Sequence, residues 1–590
     1  MKLFLYFFVF FLFFCLFSNN NQLSAGIGKE TWGAGGIQHD IEVNEIEEIE
    51  AEVKKESQSK DIKSMELRNI DPGTIGILTD NEGLGYKMWE GSDRKFIEKY
   101  LKVLPVNKKS KIAVDLTKKL LLSSADVPHG LSKDNLAFIR IKKLIELGDL
   151  ENAKLLIDSI EDNQKSEMLR KIEVEINLSL NNFDLVCLDI DEQIRNYNKD
   201  LYWKKIQIFC QILNEEINKA NLGLSLIKED NEFNDDVFIN IVDSLIYKED
   251  IDSSQFYNIN LLNLAMSRVG KIALKDDLFI NDDPLFMSML YRMPNATVET
   301  RIKVLEKSQK LISVPKDIIE EIFNSYEVKE NEIQLSLNDE VVDLGPATQA
   351  ILYQSAIRED NDENKARILK QALERAIEKN NYPLIVNLNL ETILEIKPSK
   401  KLLWFAHSAS KALFYSNKLE EAFEWYKLLI KNKNQNLNLF IDFIEIWPIA
   451  EIYRFYERDF YNERKFDIDQ KEIIKLINKF QLENEQLKFN TLGFYFLEVL
   501  GTKIDPNIWL ATLEMSQENE LMPNSSILSL LNFAAQNNRV GETVLLILIA
   551  ADGNELKKLN PFFLQKIIKS LDRIGLGTKA KDFMIETLVF

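Results

Sequence analysis

The feature that most constrains the fold is a helix-turn-helix unit that recurs about every 34 residues. In each unit a Gly, Asn or Ser ends one helix, because these residues tolerate a left-handed backbone or a turn. An aliphatic or aromatic residue then closes the turn, and a small residue three positions later lets the two helices approach closely. Ala153, Val186 and Ala220 are such small residues, spaced 33 and 34 positions apart. A period of about 34 residues that contains two helices and a tight turn is typical of a helical solenoid.

Later copies of the turn lie at 380–385, 416–422, 537–543 and 574–580. Between the turns, apolar residues recur at spacings of three and four, and alternating strand patterns are rare. We therefore predict an all-α protein, a right-handed α-solenoid of antiparallel helix pairs. The positions that mark its turns most clearly are Gly148, Ala153, Asn182, Val186, Ala220, Ala422 and Ala580.

Two of these segments, 147–153 and 415–426, resemble the inter-helix consensus of the tetratricopeptide repeat family. Two or three units match that consensus well, whereas its early-helix Trp-x-x-Leu-Gly part and its terminal Pro are largely missing. The chain thus resembles a divergent relative of this superfamily. The resemblance implies an α-superhelix whose concave face binds peptides or proteins, and it implies no catalytic residues.

The chain begins with Met1-Lys2 and then an uncharged run of 15 residues from Leu3 to Phe17. This length suits the apolar core of a signal peptide and is below the roughly 20 residues that span a bilayer as a helix. Polar residues follow up to a small-residue cleavage site at Ala25. We expect a secretory signal peptide over 1–25 and a periplasmic or secreted protein. An uncleaved membrane anchor is the alternative, and a buried helix is a third reading.

Residues 26–91 hold 10 of the 21 glycines and an acidic block, Asp40 to Glu56, with eight acids against two lysines. This composition predicts a flexible, largely disordered acidic tether. Its end, from Ile70 to Gly91, has apolar and aromatic residues between glycines. These suggest an extended arm that docks on the protein's own solenoid or on a partner. Two helical-repeat blocks follow, over 92–330 and 346–590, with a polar boundary between them.

The charge balance indicates what the protein can bind. The chain carries 73 Lys and Arg against 93 Asp and Glu, a net charge of −20. This disfavours nucleic acid, whose recognition needs clustered basic residues. Lys- and Arg-rich protein or peptide segments suit an acidic surface better. We expect contact with a membrane only through the N-terminal segment, if that segment stays uncleaved.

Residues typical of catalysis are scarce. The chain has three histidines, His39, His129 and His407, and it lacks the common zinc, triad and nucleotide-loop motifs. The apolar surroundings of His407 favour a core or surface histidine over a catalytic base. We therefore predict no catalytic, cofactor-binding or metal-binding residues, and no cofactor.

Two further sets of residues leave alternatives open. Cys187 and Cys210 are 23 residues apart on helices that we expect to be neighbours. Two buried free thiols are the more common arrangement, and a disulfide is permitted after export. Core packing explains most aromatic residues near the last third of the chain, and an aromatic-lined binding groove is the alternative. The candidates for that groove are Trp404, Trp425, Trp447 and Tyr426.

The pattern as a whole favours an exported, non-catalytic scaffold that binds protein or peptide partners in the cell envelope. One alternative is an envelope enzyme, such as a peptidoglycan-cleaving protein built on a helical superhelix. That enzyme would need a Glu in an apolar pocket beside a second acid. A membrane-anchored adaptor with an uncleaved N-terminal helix is the other alternative.

Overall fold

A computed structural model describes residues 71–589 except 107–109, 131–134, 231–232, 250, 252–255, 257–258, 273–282, 295, 312–313, 337–344, 458–467, 484–490 and 514–520. Within these residues the regular elements are all helices, and the only β-pairing consists of isolated bridges. The prediction of an all-α protein is therefore confirmed for this part of the chain. The expected signal peptide and most of the expected tether, 1–70, lie outside the described residues.

Helices follow one another along the first half of the chain. Most start at a Ser, Asp or Asn whose side chain accepts a hydrogen bond from the first turn, as Ser110 does from Ala113. These helices are α1 (Arg94–Lys102), α2 (Lys111–Leu122), α3 (Leu136–Leu147), α4 (Leu150–Asp158), α5 (Glu167–Leu180), α6 (Phe183–Cys187), α7 (Ile190–Asn196), α8 (Leu201–Leu213), α9 (Ile217–Lys228), α10 (Asp236–Tyr247), α11 (Leu261–Val269), α12 (Pro284–Tyr291), α13 (Val298–Leu311), α14 (Lys316–Ser325) and α15 (Glu330–Ser336).

The second half continues in the same way and holds the longest helix, which carries Pro448 in its interior. Its helices are α16 (Thr348–Arg358), α17 (Asp362–Glu378), α18 (Tyr382–Glu395), α19 (Ala406–Tyr415), α20 (Leu419–Asn432), α21 (Leu437–Tyr456), α22 (Gln470–Glu483), α23 (Leu492–Val499), α24 (Pro506–Thr512), α25 (Ser525–Gln536), α26 (Val540–Ala551), α27 (Pro561–Arg573) and α28 (Gly577–Val589).

The seven hairpin turns share one backbone geometry. The residue that ends the first helix has a positive φ, and the N–H of the next residue donates to a carbonyl five positions earlier. In the first turn φ is 81° at Gly148, and the Asp149 N–H lies 2.9 Å from the Leu144 carbonyl. This is the Schellman ending of a helix. The left-handed residues are Gly148, Asn181, Glu215, Asn380, Asn417, Asn538 and Gly575.

The residue five positions after each left-handed residue is buried in all seven hairpins. Because the side chain at this position is small in most of the hairpins, the two helices of a hairpin can pack closely. These buried residues are Ala153, Val186, Ala220, Ile385, Ala422, Thr543 and Ala580. In the second turn the left-handed residue is Asn181, whereas the sequence pattern marked Asn182. The adjacent Asn182 instead begins α6, where its carbonyl accepts from the Val186 N–H.

Successive hairpins pack on one another in chain order. The second helix of one hairpin contacts the first helix of the next. For example, α4 contacts α5, and α6 contacts α8. The same order continues where α18 contacts α19 and α26 contacts α27. The fold is therefore of the helical-repeat kind.

The two ends of the described chain meet. Helix α2 packs on α26 and α28, and α1 packs on α26. The hydroxyl of Ser92 donates to Glu542 Oε2 at 2.8 Å, and the Ile112 N–H donates to Glu586 Oε2 at 2.9 Å. We call this contact between the first and last helices the closure. It was not expected from the sequence, because a regular repeat array leaves its two ends apart.

Residues 71–91, which the sequence assigned to the end of the flexible tether, are packed against the helices. Met88 and Trp89 are buried, and the Trp89 ring lies against Gly541 on α26. The Gly541 N–H donates to the Met88 carbonyl at 2.8 Å. The tether boundary at 91 is thus corrected for these residues, since the apolar side chains between their glycines join the core. Of the two docking sites expected for the arm, it uses the protein's own helices.

The polar passage near 330–346 does not separate two domains. Residues Ile70–Phe590 form one compact unit, and α14 and α15 both contact α16 across this passage. The two blocks expected at 92–330 and 346–590 are therefore continuous. No helix in the described ranges is long and apolar enough to cross a bilayer.

Cys187, at the end of α6, forms a disulfide with Cys210 in α8, with Cα atoms 5.5 Å apart. Of the two arrangements left open by the sequence, the structure has the bonded one. The bond joins the second helix of the second hairpin to the first helix of the third. It therefore fixes how these two repeats stack.

Replacing both cysteines by serine is expected to lower the free energy of unfolding by about 3 kcal/mol. The disulfide links two residues that are 23 positions apart, and without it the unfolded chain gains the entropy that this closed loop removes. Urea denaturation of the oxidised protein and of the Cys187→Ser/Cys210→Ser variant measures the difference. Wild-type protein with dithiothreitol should match the variant, whose own midpoint should not respond to the reductant. Equal midpoints for all samples would contradict the prediction.

Candidate functional site

Three of the four aromatic candidates lie inside the core. Trp425 and Tyr426 are each 1% exposed and Trp447 is 3% exposed. Their rings pack against neighbouring aromatic side chains, such as Phe405 against Trp425. They therefore form no open aromatic groove. Only Trp404 is partly exposed, and it lines a cavity.

That cavity, of about 580 Å³, opens between α17, α19 and α21. Trp404, His407 and Asp442 are among the residues that line it. The Nε2 atom of His407 lies 3.0 Å from Glu445 Oε2, and its Nδ1 atom lies 3.8 Å from Asp442 Oδ1. His407, expected to be a core or surface histidine, thus lies close to two carboxylates and lines a cavity. We call this the His407 cavity.

The charges around His407 perturb one another. Burial raises the pKa of Asp442. Burial also acts upward on Glu445, but the hydrogen bond with His407 and the charge of Lys411 outweigh it and lower the pKa of Glu445. Lys411 lies one helical turn after His407 and lines a second cavity of about 190 Å³ together with Glu445. Burial lowers the pKa of Lys411.

Sequence reasoning missed this cluster, although a signal for it exists. His407 and Lys411 are four positions apart in α19, and Asp442 and Glu445 are three positions apart in α21, so each pair lies on one helix face. What the sequence cannot give is that the two faces meet. The cluster can bind a polar ligand, with Trp404 as an apolar wall and the carboxylates and His407 as hydrogen-bonding groups.

A third cavity, of about 390 Å³, lies at the closure. Glu586 on α28 is 3% exposed and accepts the Ile112 N–H at the start of α2, where the helix dipole favours a negative charge. Asp115 and Asp582 line the same cavity, and Lys579 bridges them at 2.8 and 3.4 Å. Burial, as the largest effect, raises the pKa of Glu586 to about 7.

This pKa makes the closure sensitive to pH. Because the pKa is raised from 4.5 to about 7 by folding, the native state holds a proton that the unfolded state has lost between these values. The stabilisation that protonated Glu586 gives to the folded state is complete below pH 4.5 and is lost as the pH rises to about 7. Relative to Glu586→Gln, wild type should lose about 3 kcal/mol of stability over that window.

The measurement is the urea midpoint of both proteins at several pH values between 4 and 8. Asp582→Asn, on the same helix at the rim, is the matched control and should retain the wild-type slope over this range. Parallel pH profiles for wild type and Glu586→Gln would refute a raised pKa at this carboxyl.

Among the described residues, no group of three or more His, Cys, Asp or Glu side chains is placed to hold a metal ion. The chain matches no protein-family model, no curated protein and no solved structure. Its function therefore has to be argued from its own residues and geometry.

Proposed function

We propose that this protein is an exported helical-repeat scaffold that binds protein or peptide partners in the cell envelope and catalyses no reaction. The observation that carries the proposal is the repetition of one hairpin geometry in seven turns. Stacked hairpins present the same helix faces side by side, which gives an extended surface suited to binding other chains.

The proposal includes the way in which the helix pairs are arranged. We take the stacked pairs to form a right-handed superhelix of the tetratricopeptide kind. The closure would hold its ends together, so the binding surface is organised before a partner arrives. Preorganisation of this kind lowers the entropic cost of association.

Export rests on two independent features. The uncharged run from Leu3 to Phe17 has the length of a signal-peptide core. The disulfide between Cys187 and Cys210 suits an oxidising compartment. Amino-terminal sequencing of the purified protein tests both export and anchoring. A start at Gly26 supports export, whereas a start at Met1 in the membrane fraction supports the anchored adaptor.

The partner-binding proposal is tested by crosslinking the tagged full-length protein in cells and identifying the captured proteins by mass spectrometry. A variant lacking residues 2–25 is the matched control, because it should remain in the cytoplasm. Reproducible envelope proteins captured by wild type and absent from the control are the expected result. Recovery of glycan or lipid fragments with no protein would overturn the proposal that the protein is a protein-binding scaffold.

One observation favours a second function, that of an envelope enzyme. Glu586 has the raised pKa of a general acid, and Asp115 and Asp582 line its cavity. A glycan-cleaving enzyme uses such a pair of carboxyl groups. Incubation of purified peptidoglycan with wild type and with Asp582→Asn separates the two functions. Release of new reducing ends by wild type alone would favour the enzyme, and no release by either protein is expected of a scaffold.

A further inference from the structure

Three exposed leucines occupy the same position in the first three hairpins. Leu155, Leu188 and Leu222 each lie seven residues after the left-handed residue of their turn, on the second helix of the hairpin or directly after it. Their exposed fractions are 50%, 73% and 62%. The later hairpins differ, because their equivalent residues are polar or, in one case, buried. Those residues are Asn387, Glu424, Leu545 and Asp582.

Equivalent positions of stacked repeats lie along one side of the stack. Here α4 packs on α5, α6 packs on α8, and α8 packs on α9, so the three hairpins follow one another in order. The disulfide of Cys187, the residue before Leu188, fixes the middle hairpin to the third. Two more leucines on the same helices, Leu185 and Leu226, are 48% and 60% exposed. We call these five residues the leucine row.

Single exposed leucines are common on protein surfaces, but an apolar patch that repeats in register is typical of an interaction site. Leu222 and Leu226 are four positions apart, so they share one face of α9. Tyr247, 60% exposed, lies beside that face, with its hydroxyl 3.5 Å from Asn221 Oδ1. The row therefore continues toward α10 as apolar surface.

The middle of the row is acidic. Four exposed carboxylates surround Leu188 in sequence, and no basic side chain pairs with them among the described residues; Asp191 accepts a hydrogen bond from the neutral amide of Gln207 at 3.4 Å. Arg195 is the basic residue nearest to them along the chain. Their charges are therefore available to a partner of opposite sign. The four are Asp184, Asp189, Asp191 and Glu192.

We propose that the leucine row binds an amphipathic helix of a partner protein, with the apolar face of that helix on the leucines and its Lys and Arg residues on the carboxylates. The inference rests on the proposed scaffold function and specifies where and what the scaffold binds. Helices of this type dock through apolar residues spaced three and four apart. The acidic flanks select a basic helix over an acidic one.

The test uses the chain from Gly26 onward and a fluorescent synthetic helix with leucines on one face and lysines on both flanks. Fluorescence anisotropy gives its dissociation constant. The triple variant Leu155→Ser/Leu188→Ser/Leu222→Ser should weaken binding at least about thirtyfold. The matched control removes three exposed leucines elsewhere, Leu510, Leu513 and Leu530. This control should change the dissociation constant less than about threefold, since these leucines lie outside the row.

The charge contribution is tested separately by changing the four carboxylates to Asn and Gln. This variant should bind more weakly at low salt and lose most of the salt dependence seen in wild type. A peptide with glutamates in place of the lysines should bind at least about tenfold more weakly to wild type. All changed residues are exposed, so equal urea midpoints for the variants should show that the fold is intact.

Equal affinity for the triple variant and the control variant would overturn the proposal, as would equal binding of the acidic peptide. A dimer in sedimentation that only the triple variant dissolves would also overturn it, because a second copy would then occupy the row. Failure of the leucine-row proposal can be distinguished from failure of the scaffold proposal. If wild type and the triple variant capture the same envelope proteins in cells, the surface is wrong and the scaffold stands.

Discussion

Replacing Arg140 by leucine is expected to lower the free energy of unfolding by about 5 kcal/mol, because it leaves several buried carbonyl groups without a donor. Arg140, on α3, is 3% exposed. Its guanidinium donates to the carbonyls of Leu121 and Ser123 at 2.6 and 3.0 Å. It also donates to those of Gly73 and Ile75 at 3.2 and 2.5 Å. One side chain thus joins the arm to the end of α2.

Burial lowers the pKa of Arg140 to about 10, so the group stays charged at neutral pH. Arg140→Lys should recover only part of the loss, since an ammonium lacks the planar fork that reaches four acceptors. Arg195→Leu is the control for removing an exposed arginine and should change stability by less than about 0.5 kcal/mol. The measurement is urea denaturation, supported by hydrogen exchange of residues 71–91. A loss below about 1 kcal/mol for Arg140→Leu would contradict this account.

Trp89→Ala is expected to cost about 4 kcal/mol, the usual range for removing a large buried aromatic side chain. Trp89 is 4% exposed and lies where a β-carbon on Gly541 would come within 2.8 Å of its ring. The arm therefore depends on this ring for its contact with α26. Its loss should increase hydrogen exchange in residues 84–92 before it affects the hairpins. Unchanged exchange there would contradict a packed arm.

A double-mutant cycle with Gly541→Ala tests the same contact. Alone, Gly541→Ala should destabilise the protein by about 2 kcal/mol, because the new methyl group overlaps the Trp89 ring. In the Trp89→Ala background the overlap with the ring is gone, and the Met88 carbonyl at 3.1 Å is the tight contact that remains, so the cost of Gly541→Ala should fall below about 1 kcal/mol. The thermal midpoints of the four proteins give the coupling. Additive effects would mean that the two residues do not touch.

The hairpins could be predicted because their determinants are local. Gly148 takes a left-handed backbone and Ala153 is buried against the paired helix, and both roles are encoded within six residues. The third turn is less regular in sequence, since Glu215 takes the left-handed position without being Gly or Asn. There the hairpin geometry outweighs the intrinsic preference of the residue.

The His407 cavity and the cavity at the closure could not be predicted for the opposite reason. His407 meets Asp442 and Glu445 only because α19 packs on α21, and neither helix specifies that register by itself. Glu586 accepts the N–H of Ile112, in the first turn of α2, which lies 474 positions earlier in the chain. A periodic pattern reports which face of a helix is buried, but it does not report which other helix covers it.

The sequence by itself determined the all-α class and the hairpin period, because helix periodicity and turn chemistry act over a few residues. The prediction of a signal peptide likewise rests on a local run of apolar residues. Only the tertiary structure decided that the first helices pack on the last, that residues 71–91 join the core, and that Trp404 lines a cavity whereas the other three aromatic candidates are buried. These outcomes depend on contacts between side chains that lie tens to hundreds of residues apart in the chain, and such contacts are selected by shape and burial.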